Sequence, residues 1–118
     1  MHHRELQVWQ KAKELAISVY EVCRKRGLDR DFSFRDQIQR ASISIPSNIA
    51  EGYARESAKD RCHLLVVAKG STAELQTQLE IAHSVRLIDN TDFAELDARC
   101  DEIARMLSGL IKKLRSSS

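Results

Sequence analysis

Chain breakers are scarce. The 118 residues include one proline and four glycines, which argues against the many short turns of an all-β chain and favours a few long helices. Cysteine is sparse too. Cys23, Cys62 and Cys100 are odd in number, far apart and without a CxxC pair. That pattern gives neither a disulfide framework nor a zinc signature. The three read as reduced, small core residues of a cytoplasmic protein. The opening MHHRELQVWQ lacks an apolar leader core, so no secretory signal is expected. No apolar run approaches the length of a membrane span. Neither sign of charge dominates, since 19 basic against 17 acidic side chains leave +2. Composition therefore neither demands nor excludes nucleic acid, and only the distribution of charge can argue for it.

Catalytic signatures are missing as well. There is no HExxH, P-loop or GxSxG pattern. Glu80 and His83 form one Glu-x-x-His, but a di-iron bundle needs that motif from two helices plus two further carboxylates. His63, with Asp60 three residues before it, lies about five turns away on the same predicted helix, too far to share a metal. The expectation is a protein with no enzyme activity, cofactor, metal or small-molecule substrate.

What the chain does have is helical periodicity. From about 5 to 26, Val8, Ala12, Leu15, Val19 and Val22 recur at spacings of four and three, with Trp9, Ala16 and Cys23 beside them. Arg24, Lys25 and Arg26 suit a last helical turn, and Gly27 a stop. After a loop at 28–33, a second helix is expected over 34–55, with Ile38, Ala41, Ile45 and Ile49 on one face. Pro46 removes a backbone donor inside it, so a kink is expected there. A strand end at 43–46 is the alternative, but it has no partner strand. Ser57 and Asp60 form a capping pair that opens a third helix to about 87, with Leu64, Val67, Ala68, Leu75, Leu79 and Ala82 on one face. A fourth helix, 92–114, carries Phe93, Leu96, Cys100, Ile103, Leu107, Leu110 and Leu114 as an unbroken seam. The terminal serines read as a frayed tail. Four helices on short loops predict an all-α, up-down-up-down, left-handed four-helix bundle, one domain spanning 1–118.

Helices two and three carry apolar residues on a second face. Ile43 and Ala50 mark it on the second helix, and Leu65, Val66 and Ile81 on the third. Exposed apolar area of that extent points to self-association through these five residues. The competing reading is that scattered exposed apolar side chains are ordinary on soluble proteins.

The stretch PSNIAEGY at 46–53 is the least ordinary. Asn48 is placed to serve the carbonyl that Pro46 cannot, and Glu51 to accept from the third helix, with Ser71 and Glu74 across the hairpin. These four form either a polar network bracing the kink or a ligand or partner site. In the predicted bundle one end gathers Arg4, Arg55, Lys59, Arg61, Lys112, Lys113 and Arg115 against four acidic residues, whereas the other end balances six with six. The basic end is a candidate for phosphate contacts. Its alternative role is to complement the dipole of the last helix.

The runs DQIQRASISIPSNIAEGY (36–53) and AKGSTAELQTQLEIA (68–82), with the opening LQVWQKAKELAISVY (6–20), resemble the four-helix-bundle proteins encoded in intervening sequences of bacterial 23S ribosomal RNA genes. That family is also similar to the accessory variability proteins of diversity-generating retroelements. The resemblance covers nearly the whole chain. It implies a non-enzymatic homo-oligomer, a pentameric ring or barrel, that binds RNA or DNA. A scaffold whose ring recruits another protein is the alternative function. The retroelement relatives are strongly basic, and the +2 of this chain departs from them.

Overall fold

In the computed structural model, which describes residues 2–117, the chain forms four α-helices and no strand among those residues. They are α1 (Gln7–Cys23), α2 (Phe32–Ala54), α3 (Ala58–Ser84) and α4 (Asn90–Ser117), with 3₁₀ turns at His3–Glu5 and Leu28–Arg30. Short connections make neighbours antiparallel. Each helix packs on the next and α1 closes the ring on α4, while the diagonal pairs are not in contact. The result is the expected four-helix bundle, a rod of 47 × 21 × 19 Å.

Several helix ends differ from expectation, each for a local reason. α1 stops at Cys23, so Arg24, Lys25 and Arg26 lie beyond it. α2 begins two residues early because the Asp31 carboxylate accepts a bond from the Phe34 amide at 3.1 Å, an N-cap inside the presumed loop. Ser57 caps α3 as expected, its hydroxyl accepting from the Asp60 amide at 3.0 Å. Asp89 does the same for α4, accepting from the Asp92 amide at 2.7 Å. The serines expected to fray continue α4 through Ser117, and Ser118 lies outside the described residues.

Two loops meet at the end opposite the basic one. Gly27 adopts φ +121°, and a Cβ there would lie 2.7 Å from the Leu87 carbonyl oxygen. Leu87 is held by its own amide bond to the Ala82 carbonyl at 2.8 Å. With the Arg86 amide on His83 at 3.1 Å and Arg86 at φ 65°, α3 ends in a Schellman motif. Lys25 ties the end of α1 to the start of α4 through Asp92 at 2.9 Å.

The core runs along seams of alternating four and three, except at the end of α4, where Ile111 follows Leu107 by four and the expected Phe93, Leu110 and Leu114 are half-buried. Val8, Ala12, Leu15, Val19 and Val22 supply it from α1, and Ile38, Ser42, Ile45, Ile49 and Gly52 from α2. Leu65, Ala68, Thr72, Leu75, Leu79 and Ala82 supply it from α3, and Leu96, Cys100, Ile103, Leu107 and Ile111 from α4. Ser42 and Thr72 are buried at no loss of hydrogen bonding, because their hydroxyls donate to the Gln39 and Ala68 carbonyls at 2.8 and 2.9 Å. Gly52 lets α3 come close, since a Cβ there would sit 3.3 Å from the Arg61 carbonyl.

Candidate functional site

The bundle brings the start of α1, the end of α2, the start of α3 and the end of α4 to one end, so the seven basic residues of the predicted set gather there. Their local tasks differ. Arg61 donates to the Gly52 and Arg55 carbonyls at 3.3 and 3.1 Å and lies 4.6 Å over the Tyr53 ring. It closes off the C-terminus of α2, a structural duty. Arg55 pairs with Glu51 at 2.8 Å. Arg4 lines a shallow hollow with Trp9, Gln10, Lys13 and Glu14. Lys59 and Arg115 line a hollow of about 340 Å³ with Ala58, Cys62 and Leu114. Lys112 and Lys113 are exposed one turn before the end of α4.

A second hollow, of about 570 Å³, adjoins that one through Arg115. It lies in the groove between α3 and α4, lined by Val66, Lys69, Ser108, Ile111, Lys112, Arg115 and Ser116. Neither hollow has a carboxylate in its wall. Further along the same groove the chemistry reverses. The Gln76 side chain donates across it to Asp97 at 3.2 Å and Asp101 at 2.8 Å. Lys69 and Ser108 were absent from the sequence-based set. Their signal is same-face spacing: Lys59, Cys62, Val66, Lys69 on α3 and Ser108, Lys112, Arg115 on α4.

The polar network around Pro46 is smaller than predicted and differently wired. Asn48 donates to the Ser44 carbonyl at 2.8 Å and the Ser44 hydroxyl at 3.0 Å, not to the Ser42 carbonyl that Pro46 leaves unserved. Ser44 in turn meets the Ser71 hydroxyl at 2.8 Å across α2 and α3. Glu51 belongs elsewhere, since its helical position turns it toward Arg55. Glu74 is exposed and makes no hydrogen bond or ion pair among the described residues. The network is therefore Ser44, Asn48 and Ser71.

The predicted interface residues also divide. Ile43 and Ile81 are 44% and 47% exposed, Val66 is exposed, and Ala50 is half-buried. Leu65 is a correction: at 0% exposure it is a core residue, because the seam of α3 passes through 65, 68 and 72 and not through 64 and 67. Val67 stands exposed in its place. Ile43 lines a groove of about 410 Å³ between α1 and α2 with Ala16, Ile17, Tyr20 and Pro46 among its walls. Ile81 lies far along α3 with the exposed Val85 beyond it.

Burial pushes the Cys23 thiol up to about 11 and the Cys100 thiol up to about 12, the latter aided by the nearby Asp97 and Asp101 carboxylates. Both therefore stay protonated and inert as nucleophiles at neutral pH. Among the described residues no group of three metal-ligating side chains converges, and no helix is long and apolar enough to cross a membrane.

A family model described as 23S rRNA-intervening sequence protein matches residues 4–109. A crystal structure at 1.70 Å of a protein with unknown function from the S23 ribosomal protein family of Bacteroides thetaiotaomicron VPI-5482 is similar in fold. Its TM-score is 0.82 at 25% identity, over 89% of this chain and 98% of that one. No curated protein matches the chain.

Proposed function

This chain belongs to the 23S rRNA-intervening sequence protein family, and on that footing we propose that it is a non-enzymatic, cytoplasmic homo-oligomer that binds RNA or DNA through its basic end. The observation that carries the reading is the meeting of Arg4, Lys59, Lys112, Lys113 and Arg115 where four helix ends converge. A ring, a pentamer by family resemblance, repeats that end once per subunit and multiplies its phosphate contacts.

Self-association is supported by two unlike apolar faces on one copy. Ile17 and Ile43 stand exposed on the α1–α2 side, and Val67, Ile81 and Val85 on α3. A contact that joins unlike faces is heterologous, and such a contact builds a ring where its rotation closes. Gly70 adds a further reason. It sits inside α3 with nothing within 4 Å of where a Cβ would be. A mid-helix glycine costs about 1 kcal/mol against alanine, and the packing within one subunit does not require it.

Titration of a fluorescein-labelled RNA duplex by anisotropy tests the nucleic-acid reading. Lys112→Glu with Lys113→Glu is expected to weaken binding for every sequence and to flatten the dependence on salt. Unchanged affinity in that variant rejects the basic end. Sedimentation tests the ring: Ile43→Asp is expected to lower the mass while helicity persists, and a wild-type monomer at micromolar concentration removes the ring altogether.

A second reading, a scaffold that recruits another protein, is favoured by the apolar α1–α2 groove. It prevails if the wild-type chain shows no salt-dependent affinity for RNA or DNA and a protein partner protects Ile17 and Tyr20 from hydrogen exchange.

A further inference from the structure

We infer that the cationic half of the α3–α4 groove is a cradle for a phosphodiester backbone, held side-on by Lys69, Lys112 and Ser108. The inference rests on the nucleic-acid reading above and changes where the strand lies: along the flank of the bundle rather than across its end.

Three observations carry it. First, the groove is divided by charge. Its far half is occupied by Gln76 reaching to Asp97 and Asp101. Its near half has Lys69, Lys112 and Arg115 in the wall with the Ser108 hydroxyl and no carboxylate, while the Ser116 hydroxyl donates to the Lys113 carbonyl at 3.1 Å. An anion entering the groove is thus repelled from one half and held in the other. Hydroxyls beside ammonium groups are the donors that phosphate oxygens accept from.

Second, the two lysines are not engaged within the subunit. Lys11, Lys25, Arg40, Arg55 and Arg99 each have a carboxylate within 3.2 Å. Lys69 and Lys112 have none among the described residues. Of those five pairs only Lys11 with Glu102 and Lys25 with Asp92 join two helices. In the groove the facing positions are serines.

Third, no aromatic ring lines either hollow, whose floor is Val66 and Ile111 in one and Leu114 in the other. Single-strand binders that grip bases do so by stacking on aromatic side chains. Without such a platform no base is gripped by its face, and the ammonium groups and the Ser108 hydroxyl meet the phosphates. From Lys59 to Lys69 it runs about 15 Å at ~1.5 Å per residue, long enough to meet several successive phosphates. Recognition here is indifferent to base sequence.

The test uses the full-length chain and a labelled mixed-sequence 20-base-pair RNA duplex, titrated by anisotropy from about 50 to 200 mM salt. Lys69→Gln with Lys112→Gln is compared with Arg24→Gln with Arg26→Gln at the opposite end. Circular dichroism and sedimentation establish that each variant keeps its fold and mass. The groove variant is expected to bind at least tenfold more weakly at low salt, with a salt slope shallower by about two. The opposite-end variant and a duplex of scrambled sequence are expected to match the wild type. If the wild-type chain binds the duplex and the groove variant binds it equally well, the groove is wrong and the nucleic-acid reading stands. If the wild-type chain binds no duplex, both fall. Tighter binding of a phosphoserine peptide than of the duplex, or a lowered mass in the groove variant, overturns the backbone cradle in favour of a protein partner or a contact between copies.

Discussion

Gly27→Ala is expected to destabilise the bundle more than any other exchange of so few atoms at its loops. The residue sits at φ 121° and ψ −80°, a conformation that costs a residue with a Cβ about 1–3 kcal/mol. The new methyl would also lie 2.7 Å from the Leu87 carbonyl oxygen, and backbone is what it meets, so no side chain can swing aside. Leu87 cannot retreat without stretching its 2.8 Å bond to the Ala82 carbonyl, the bond that finishes α3. Relief of that contact adds about 1 kcal/mol. Alanine returns about 0.7 kcal/mol by restricting the unfolded chain. The net loss is about 2 kcal/mol. At about 2.1 cal/mol/K of unfolding entropy per residue, a chain of 118 residues then melts about 8 °C lower. Thermal unfolding by circular dichroism at two protein concentrations measures this and separates folding from assembly. A melting point within 2 °C of wild type at both would refute the account of this junction.

Arg86, in contrast, occupies a left-handed position at φ 65° that glycine usually fills. Arg86→Gly is expected to stabilise by about 0.5–1 kcal/mol in urea unfolding, and a loss of stability would mean that the arginine side chain holds a contact that outweighs its strain. Cysteine accessibility supplies a further check. Half-exposed Cys62 is expected to react with iodoacetamide at pH 8 in the folded protein while buried Cys23 and Cys100 do not; equal labelling of all three by mass spectrometry contradicts the core. The same thiols bias stability at alkaline pH. Unfolded cysteines release protons at about 8.5, whereas folded Cys23 and Cys100 hold them to about 11 and about 12. The contribution is therefore complete below about 8.5, declines above it and is lost as pH rises through the folded values; urea midpoints from pH 7 to 10.5 read the start of that decline, and a flat profile contradicts it.

The sequence and the structure agree best where every seam position is apolar. On α1 the residues 8, 12, 15, 19 and 22 are all aliphatic and all buried, so periodicity alone locates the core face. On α3 the seam is interrupted by Thr72, whose burial is tolerable only because its hydroxyl finds the Ala68 carbonyl. The sequence reading places Ala68, Leu75, Leu79 and Ala82 correctly but extends that face back to Leu64 and Val67 and leaves Leu65 outside it. On α2 the expected Ile38, Ala41, Ile45 and Ile49 are all buried, and Ser42 and Gly52 join them. The basic end was legible as a list because connectivity fixes which helix ends meet. The separate duties of its members were not, since Arg61 over Tyr53 and Arg55 on Glu51 depend on how α2 ends. Nor was the groove, which exists only once α3 and α4 are set side by side.

The two surfaces of this bundle lie on opposite sides, and that separation lets each be tested against the other. Ile17 and Ile43 line the α1–α2 side, while Lys69 and Lys112 line the α3–α4 side. Substitutions that share no partner add in free energy, so Ile43→Asp leaves the intrinsic affinity of one groove untouched. Assembly breaks that independence. The proposed ring would present several grooves to one duplex, and linked sites raise overall affinity by about 10²–10⁴. Ile43→Asp removes no cation, yet it is expected to weaken binding of a long duplex by at least tenfold. Binding of a duplex too short to reach two grooves is expected to stay as it was. Equal losses on both lengths would place the effect of Ile43 in the fold of the subunit. No loss on either would mean that each copy grips nucleic acid alone and that assembly serves some other end.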